Sequence, residues 1–131
     1  FRARLRGFRC LFVPSARVYH RVNLNIGRFS HVYVFYGHRN SEFVFWQNMP
    51  LPLLIRYLPE HLLFNLISLV YFTAKGRGYS FLKAKLAFLA AIPEVRRRRR
   101  AAQSGRSISN SQLAGMMERN WFRHRLKKAA E

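Results

Sequence analysis

The chain has 131 residues, half of them apolar, with 24 Lys and Arg against five acids and a formal charge of +19. This fits one small domain able to bury some core, and a compact soluble monomer of such charge repels itself unless anions sit nearby, so phosphate-bearing partners are implied. All five acids are Glu and Cys10 is the only cysteine, which excludes an aspartate-based site, an internal disulfide and a cysteine zinc cluster.

The first residues, Phe1 followed by Arg2, Ala3, Arg4, Leu5 and Arg6, already have a helix-like pattern that Gly7 ends, which reads as entry into the middle of a fold. A secretory signal needs an uninterrupted apolar stretch after its basic start, and Arg9, Pro14 and Arg17 break any candidate. Phe8 to Val13 alternate as a strand, with Phe8, Cys10 and Phe12 on one side. Helix end, glycine, strand is the grammar of an α/β domain, and Cys10 is expected to be a buried apolar residue in a reducing compartment. Pro14 and Ser15 turn the chain, Arg17 to His20 make a second short strand, Asn23, Asn25 and Gly27 mark a loop, and Ser30 caps the next helix.

From His31 to about Gln47, Val32, Phe35, Tyr36, Phe43 and Trp46 recur at helical spacings. Arg39 falls on this aromatic stripe and Asn40 about 100° further round, so an Arg39 facing a cleft needs an anion. Composition shifts at Asn48-Met49-Pro50-Leu51-Pro52, the main boundary, and again where the arginine run begins at Arg96, which gives segments 1–50, 51–95 and 96–131.

Leu51 to Leu58 reads as a short helix stopped by Pro59, and Leu62 to Ala74 as an apolar helix closed by Lys75, Gly76, Arg77 and Gly78. A spanning helix needs roughly 20 apolar residues. Extending this run of 13 back to Leu51 crosses Arg56, Pro59 and Glu60, so an interfacial or re-entrant helix fits better than a span. The plain alternative is a core helix packed on the domain. Tyr79 to Ile92 gives a second amphipathic segment whose Lys83 and Lys85 can snorkel. Arg96, Arg97, Arg98, Arg99 and Arg100 then form a run that, with Lys75 and Arg77, reads as a grip on anionic headgroups, or more plainly as a solvated tail for any polyanion. Ser104 to Ser111 is linker-like, and Gln112 to Lys128 reads as one more basic helix.

Chemistry is sparse. His31 and His38 share a helix face but stand about 10 Å apart, too far to chelate one ion. His61, beside Glu60, reads as an interfacial polar residue. No Ser-His-Asp set, carboxylate pair or phosphate loop emerges from Glu42, Glu60, Glu94, Glu118, Glu131 and Gly76-Arg77-Gly78.

The order Arg2-Ala3-Arg4-Leu5-Arg6-Gly7, Val13-Pro14-Ser15-Ala16-Arg17-Val18-Tyr19-His20, Arg39-Asn40, Pro50 and a basic amphipathic end resembles the C-terminal portion of bacterial family 2 glycosyltransferases, rhamnosyltransferase-like members in particular. The resemblance covers Phe1 to about Arg100. It implies an α/β fragment, the remnant of a GT-A (Rossmann-like) domain in residues 1–50, followed by membrane-interface helices in 51–95 and a basic tail in 96–131. It also implies a nucleotide-sugar donor and a divalent metal, Mg or Mn, held by an Asp-x-Asp motif. That motif and the catalytic base have no counterpart here, so the fragment by itself is expected to be inactive.

By position, His20 matches the family histidine that closes the site and touches metal or donor diphosphate, and Arg39 and Asn40 match the family pair beside the diphosphate. The bland readings are a strand end for His20 and a helix-to-sheet bridge for Arg39. The implied reaction is inverting sugar transfer to a lipid-linked or polysaccharide acceptor at the cytoplasmic face of the bacterial inner membrane, with anionic lipids as partners. The competing reading is a small basic module, without catalysis, that binds anionic membrane or nucleic acid. Nucleic acid is not expected, because Leu62 to Ala74 and Tyr79 to Ile92 carry too little charge for such a face.

Overall fold

The computed structural model describes residues 1–19 and 29–117. Six helices follow in order: α1 (Arg2–Leu5), α2 (His31–Asn48), α3 (Leu51–Ala74), α4 (Gly78–Ala90), α5 (Ile92–Ser104) and α6 (Asn110–Gly115). Among the described residues there is no strand, so the expectation of an α/β, Rossmann-like remnant is corrected to an all-helical fold.

The physical reason is visible at Phe8 to Val13. Its alternation suits a strand, yet a strand is stable only beside others, and no described segment offers it an edge. The segment therefore carries no regular structure, with Phe12 89% exposed. Cys10 is exposed as well, which reverses its expected burial. The turn at Pro14 and Ser15 does form, the Ala16 amide donating to the Val13 carbonyl at 3.1 Å. His20 and the Asn23–Gly27 loop lie outside the described residues, as does most of the expected helix from Gln112 to Lys128, whose start falls within α6.

α1 ends where Gly7 adopts a left-handed conformation (φ 80°), which lets the Phe8 amide return to the Ala3 carbonyl at 3.0 Å and the Gly7 amide to Arg4 at 3.0 Å. A side chain at Gly7 would also meet the Ser107 hydroxyl at 3.0 Å, beside the bond from the Ser107 amide to the Leu5 carbonyl at 2.9 Å. This glycine thus joins the start of the chain to the loop after α5.

α2 begins as its sequence suggests: Ser30 accepts from the Tyr33 amide at 3.2 Å. It is the central helix, packed against both α4 and α5. α3 is one helix of 24 residues that runs through Pro59, where two shorter helices were expected. Pro59 removes one amide donor and orphans the Ile55 carbonyl, but it stands on the exposed side. Helical continuity is held from the other side, where Leu54, Tyr57, His61, Phe64, Asn65, Ser68 and Phe72 recur at spacings of three and four. α3 then closes on Gly76 (φ 69°), with the Arg77 amide reaching the Phe72 carbonyl at 2.6 Å.

Two apolar clusters hold the bundle. Leu5, Met49, Leu53, Leu54 and Leu113 join α1, α3 and α6 at one end, and Val34, Phe72 and Phe81 join α2, α3 and α4 at the other. Each such side chain fully buried stabilises the fold by roughly 1.5–3 kcal/mol. α5, with Pro93 in its first turn, contributes the buried Val95.

Candidate functional site

α3 is apolar on both of its sides, and Leu53, Leu54 and Phe72 on the bundle side are buried in the two clusters. Its bundle side carries His61, Asn65 and Ser68, the last 7% exposed, while its outer side carries Leu62, Leu63, Leu66, Ile67 and Val70, of which Leu66 is 59% and Val70 64% exposed. Leu51 and Ile55 extend this outer stripe towards the start of the helix. Contiguous exposed apolar stripes of this length are uncommon on a monomer in water. α3 is long and apolar enough to cross a membrane, and only 17% of its most apolar stretch is buried inside the bundle. Arg56 and Glu60, both exposed, flank the stripe near its middle.

α4 repeats the pattern. Tyr79, Leu82, Leu86 and Leu89 project outward at helical spacing, while Phe81, Ala84 and Phe88 pack inward. Lys83 is exposed beside this stripe and Lys75 beside the end of α3. Arg77 stands at the junction and donates to the Phe29 carbonyl at 3.2 Å. Both helices therefore offer leucine-rich outer faces with cations close to their ends.

Behind those faces lies a polar knot centred on Glu42 of α2, which is 4% exposed. Its carboxylate accepts from Trp46 Nε1 at 3.0 Å, His61 Nε2 at 2.9 Å, Asn65 Nδ2 at 3.0 Å and Lys85 Nζ. Lys85 also donates to Asn65 Oδ1 at 2.6 Å, and His61 stacks flat on Phe45 at 4.0 Å. Burial alone would push the Glu42 carboxyl up. The hydrogen bonds from His61 and Lys85, with the Lys85 charge, outweigh it and hold the group at about 2. His38, one turn earlier, sits among Phe64, Phe72 and Phe81, and burial lowers its imidazole to about 4, with a smaller push from the Lys85 charge. The knot clamps α2, α3 and α4 together through one carboxylate, with Lys85 still partly open to solvent and His38 Nδ1 buried without a hydrogen-bond partner.

The residues singled out in the sequence fall into several surroundings. His20 lies outside the described residues. Arg39 lies over the rings of Phe35, Tyr36 and Phe43 at 5.4, 4.8 and 5.5 Å, and its guanidinium reaches the neighbouring Asn40 Oδ1 at 3.4 Å. These aromatic faces put negative potential at the guanidinium, while Arg39 Nε is buried without a hydrogen-bond partner. Lys85 turns into the bundle. Arg99 does so too, donating to the carbonyls of Trp46 at 2.8 Å and Met49 at 2.7 Å at the end of α2. Arg97 and Arg98 grip Glu94, at 2.7 and 2.5 Å, and hold its carboxyl at about 2. Arg96 and Arg100 are exposed.

Sequence reasoning missed Glu42 as an organiser because three of its four partners, His61, Asn65 and Lys85, stand 19, 23 and 43 residues away. One signal was available: His61, Asn65 and Ser68 share one side of an otherwise apolar run. Among the described residues no three His, Cys, Asp or Glu side chains converge. Comparison with known protein families, curated proteins and solved structures finds nothing that matches this chain.

Proposed function

We propose that this chain is a monotopic membrane-docking module that lays the outer stripes of α3 and α4 into one leaflet of an anionic bilayer. The observation that carries the reading is the exposed outer side of α3, where Leu62, Leu63, Leu66, Ile67 and Val70 form a continuous apolar stripe that the bundle leaves uncovered. Burying each outer leucine in acyl chains is worth roughly 1.5–3 kcal/mol, and each nearby cation adds about 1 kcal/mol at an anionic surface. The in-plane pose is favoured over a span because Arg56 and Glu60 would sit in hydrocarbon, whereas at the interface both reach water.

The activity such a dock serves is sugar transfer from a nucleotide-sugar donor to a lipid-linked or polysaccharide acceptor, at the cytoplasmic face of a bacterial inner membrane. That part rests on the resemblance of Arg2 to Gly7, Val13 to His20 and Arg39-Asn40 to family 2 glycosyltransferases. Residues outside this chain would supply the base, the metal site and most of the donor site. Keeping the enzyme on the bilayer confines it to the surface where a lipid-linked acceptor diffuses.

Flotation with vesicles of phosphatidylcholine, with and without phosphatidylglycerol, tests the dock. The chain is expected to float with the anionic vesicles, and Leu63→Glu with Leu66→Glu to stay at the bottom with an unchanged melting temperature. Flotation of that double variant equal to the parent's would overturn the reading. Failure of the parent to float, with a dimer that the same substitutions dissociate, would assign the face to a second copy instead.

A further inference from the structure

We infer that the cleft walled by α1, α2 and α5 binds an organic phosphate. This cleft, of about 480 Å³, is lined by Arg2 of α1, by Asn40, Phe43 and Val44 of α2 and by Arg98 of α5. An adjoining cleft of about 390 Å³ shares Arg2 and Arg98 and adds Arg6. No carboxylate lines either one. The larger space is of the size that holds a small molecule, well beyond a bare anion.

The charges in it are fixed and only partly offset. Arg2 donates from Nη2 to Gln47 Oε1 at 3.0 Å and from Nε to Asn48 Oδ1 at 3.3 Å, and both amides are buried at 3% exposure. Neutral amides orient a guanidinium without neutralising it, so Arg2 keeps its full charge and has N–H groups to spare. On the facing helix, the single carboxylate of Glu94 is shared by Arg97 and Arg98, which leaves that group net positive and the Arg98 Nη groups uncommitted to it. Arg2 and Arg98 line the same cleft from α1 and α5, and each guanidinium can give a phosphate oxygen charge-assisted hydrogen bonds. Phe43 and Val44 give the rest of the ligand an apolar wall, and Asn40 offers it an amide. α3 lines neither cleft, so the inference stands apart from the docking face.

Calorimetric titration of the full chain with inorganic pyrophosphate, inorganic phosphate and phenyl phosphate, near physiological salt, tests the site. Saturable 1:1 binding is expected, tighter for phenyl phosphate than for inorganic phosphate. Replacing Arg2→Gln and Arg98→Gln together should weaken pyrophosphate about tenfold or more. Arg96→Gln with Arg100→Gln removes the same charge outside the cleft and should change the affinity less than about twofold. Arg98→Lys, which keeps the charge and loses the fork, should fall between them. Equal weakening by the two Gln pairs, or no saturable binding, overturns the inference and leaves only diffuse attraction to a chain of charge +19. Melting temperatures equal to the parent's keep the comparison fair. Phosphatidylglycerol vesicles separate the sources: displacement of the bound chain by pyrophosphate assigns the cleft to a lipid headgroup, and continued flotation assigns it to a soluble phosphoester.

Discussion

Arg99 of α5 reaches the backbone carbonyl of Met49, just past the end of α2, at 2.7 Å, and takes the Trp46 carbonyl with the same nitrogen at 2.8 Å. Gln103, one turn further on, donates to the Asn48 carbonyl at 3.0 Å. The carbonyls left over where α2 stops are thus satisfied from another helix, at the negative end of the α2 dipole.

Substitution within the arginine run should therefore split by position. Arg99→Ala should lower the unfolding free energy by about 1–3 kcal/mol, since it strands buried carbonyls. Arg100→Ala, at an exposed position, should stay within about 0.5 kcal/mol of the parent. Urea denaturation of the two variants checks this, and equal costs would mean that Arg99 is no cap.

The Glu42 knot should respond to pairing and not to charge count. Glu42→Gln leaves Lys85 facing the bundle unpaired and should cost on the order of 3–5 kcal/mol. The double change Glu42→Leu with Lys85→Met removes both charges and should recover much of that loss. A double-mutant cycle in urea measures the coupling; additive losses would show that the two side chains act independently.

Acid should unfold the chain in two overlapping stages. His38 is lowered from an ordinary 6.5 to about 4, so the neutral imidazole is the folded form, and its stabilisation is lost as pH falls from 6.5 through about 4. Glu42 is depressed from 4.5 to about 2, so its contribution is intact above 4.5 and lost as pH falls towards 2. His38→Phe should abolish the first decline in melting temperature and leave the second, and a pH series of thermal melts on both proteins reads this directly.

Vesicle binding should be salt-sensitive without being wholly electrostatic. Lys75→Gln and Lys83→Gln should each weaken binding to phosphatidylglycerol vesicles about fivefold, the equivalent of about 1 kcal/mol per cation. High salt should remove that difference and leave the apolar part. Affinities measured across a salt series decide it, and an unchanged affinity for both variants would place these lysines away from the bilayer.

How much of this was legible in the sequence depends on how local the cause is. Ser30 and Gly7 act within a few residues of themselves, and both could be read directly. The outer stripes of α3 and α4 follow from helical spacing. Phe8 to Val13 misled because alternation describes what a strand would bury and not whether a neighbouring strand exists. Pro59 misled because a proline on the exposed side interrupts one hydrogen bond, while the inward row from Leu54 to Phe72 continues past it. The five arginines look equivalent as a string. Turned through 100° per residue, Arg99 shares a side with the buried Val95 and the half-buried Ala102, which is why it alone of the five turns inward.

Glu42 is an anion held in common by α2, α3 and α4, and this has a consequence for how the bundle opens. Pulling His61 and Asn65 off α2 also strips Lys85 of half its partners, so the middle of the three helices cannot separate pairwise. Their central amides should exchange with solvent at a single shared rate, as one cooperative block, while α1 and α6, tied on through Leu5 and Leu113, release earlier.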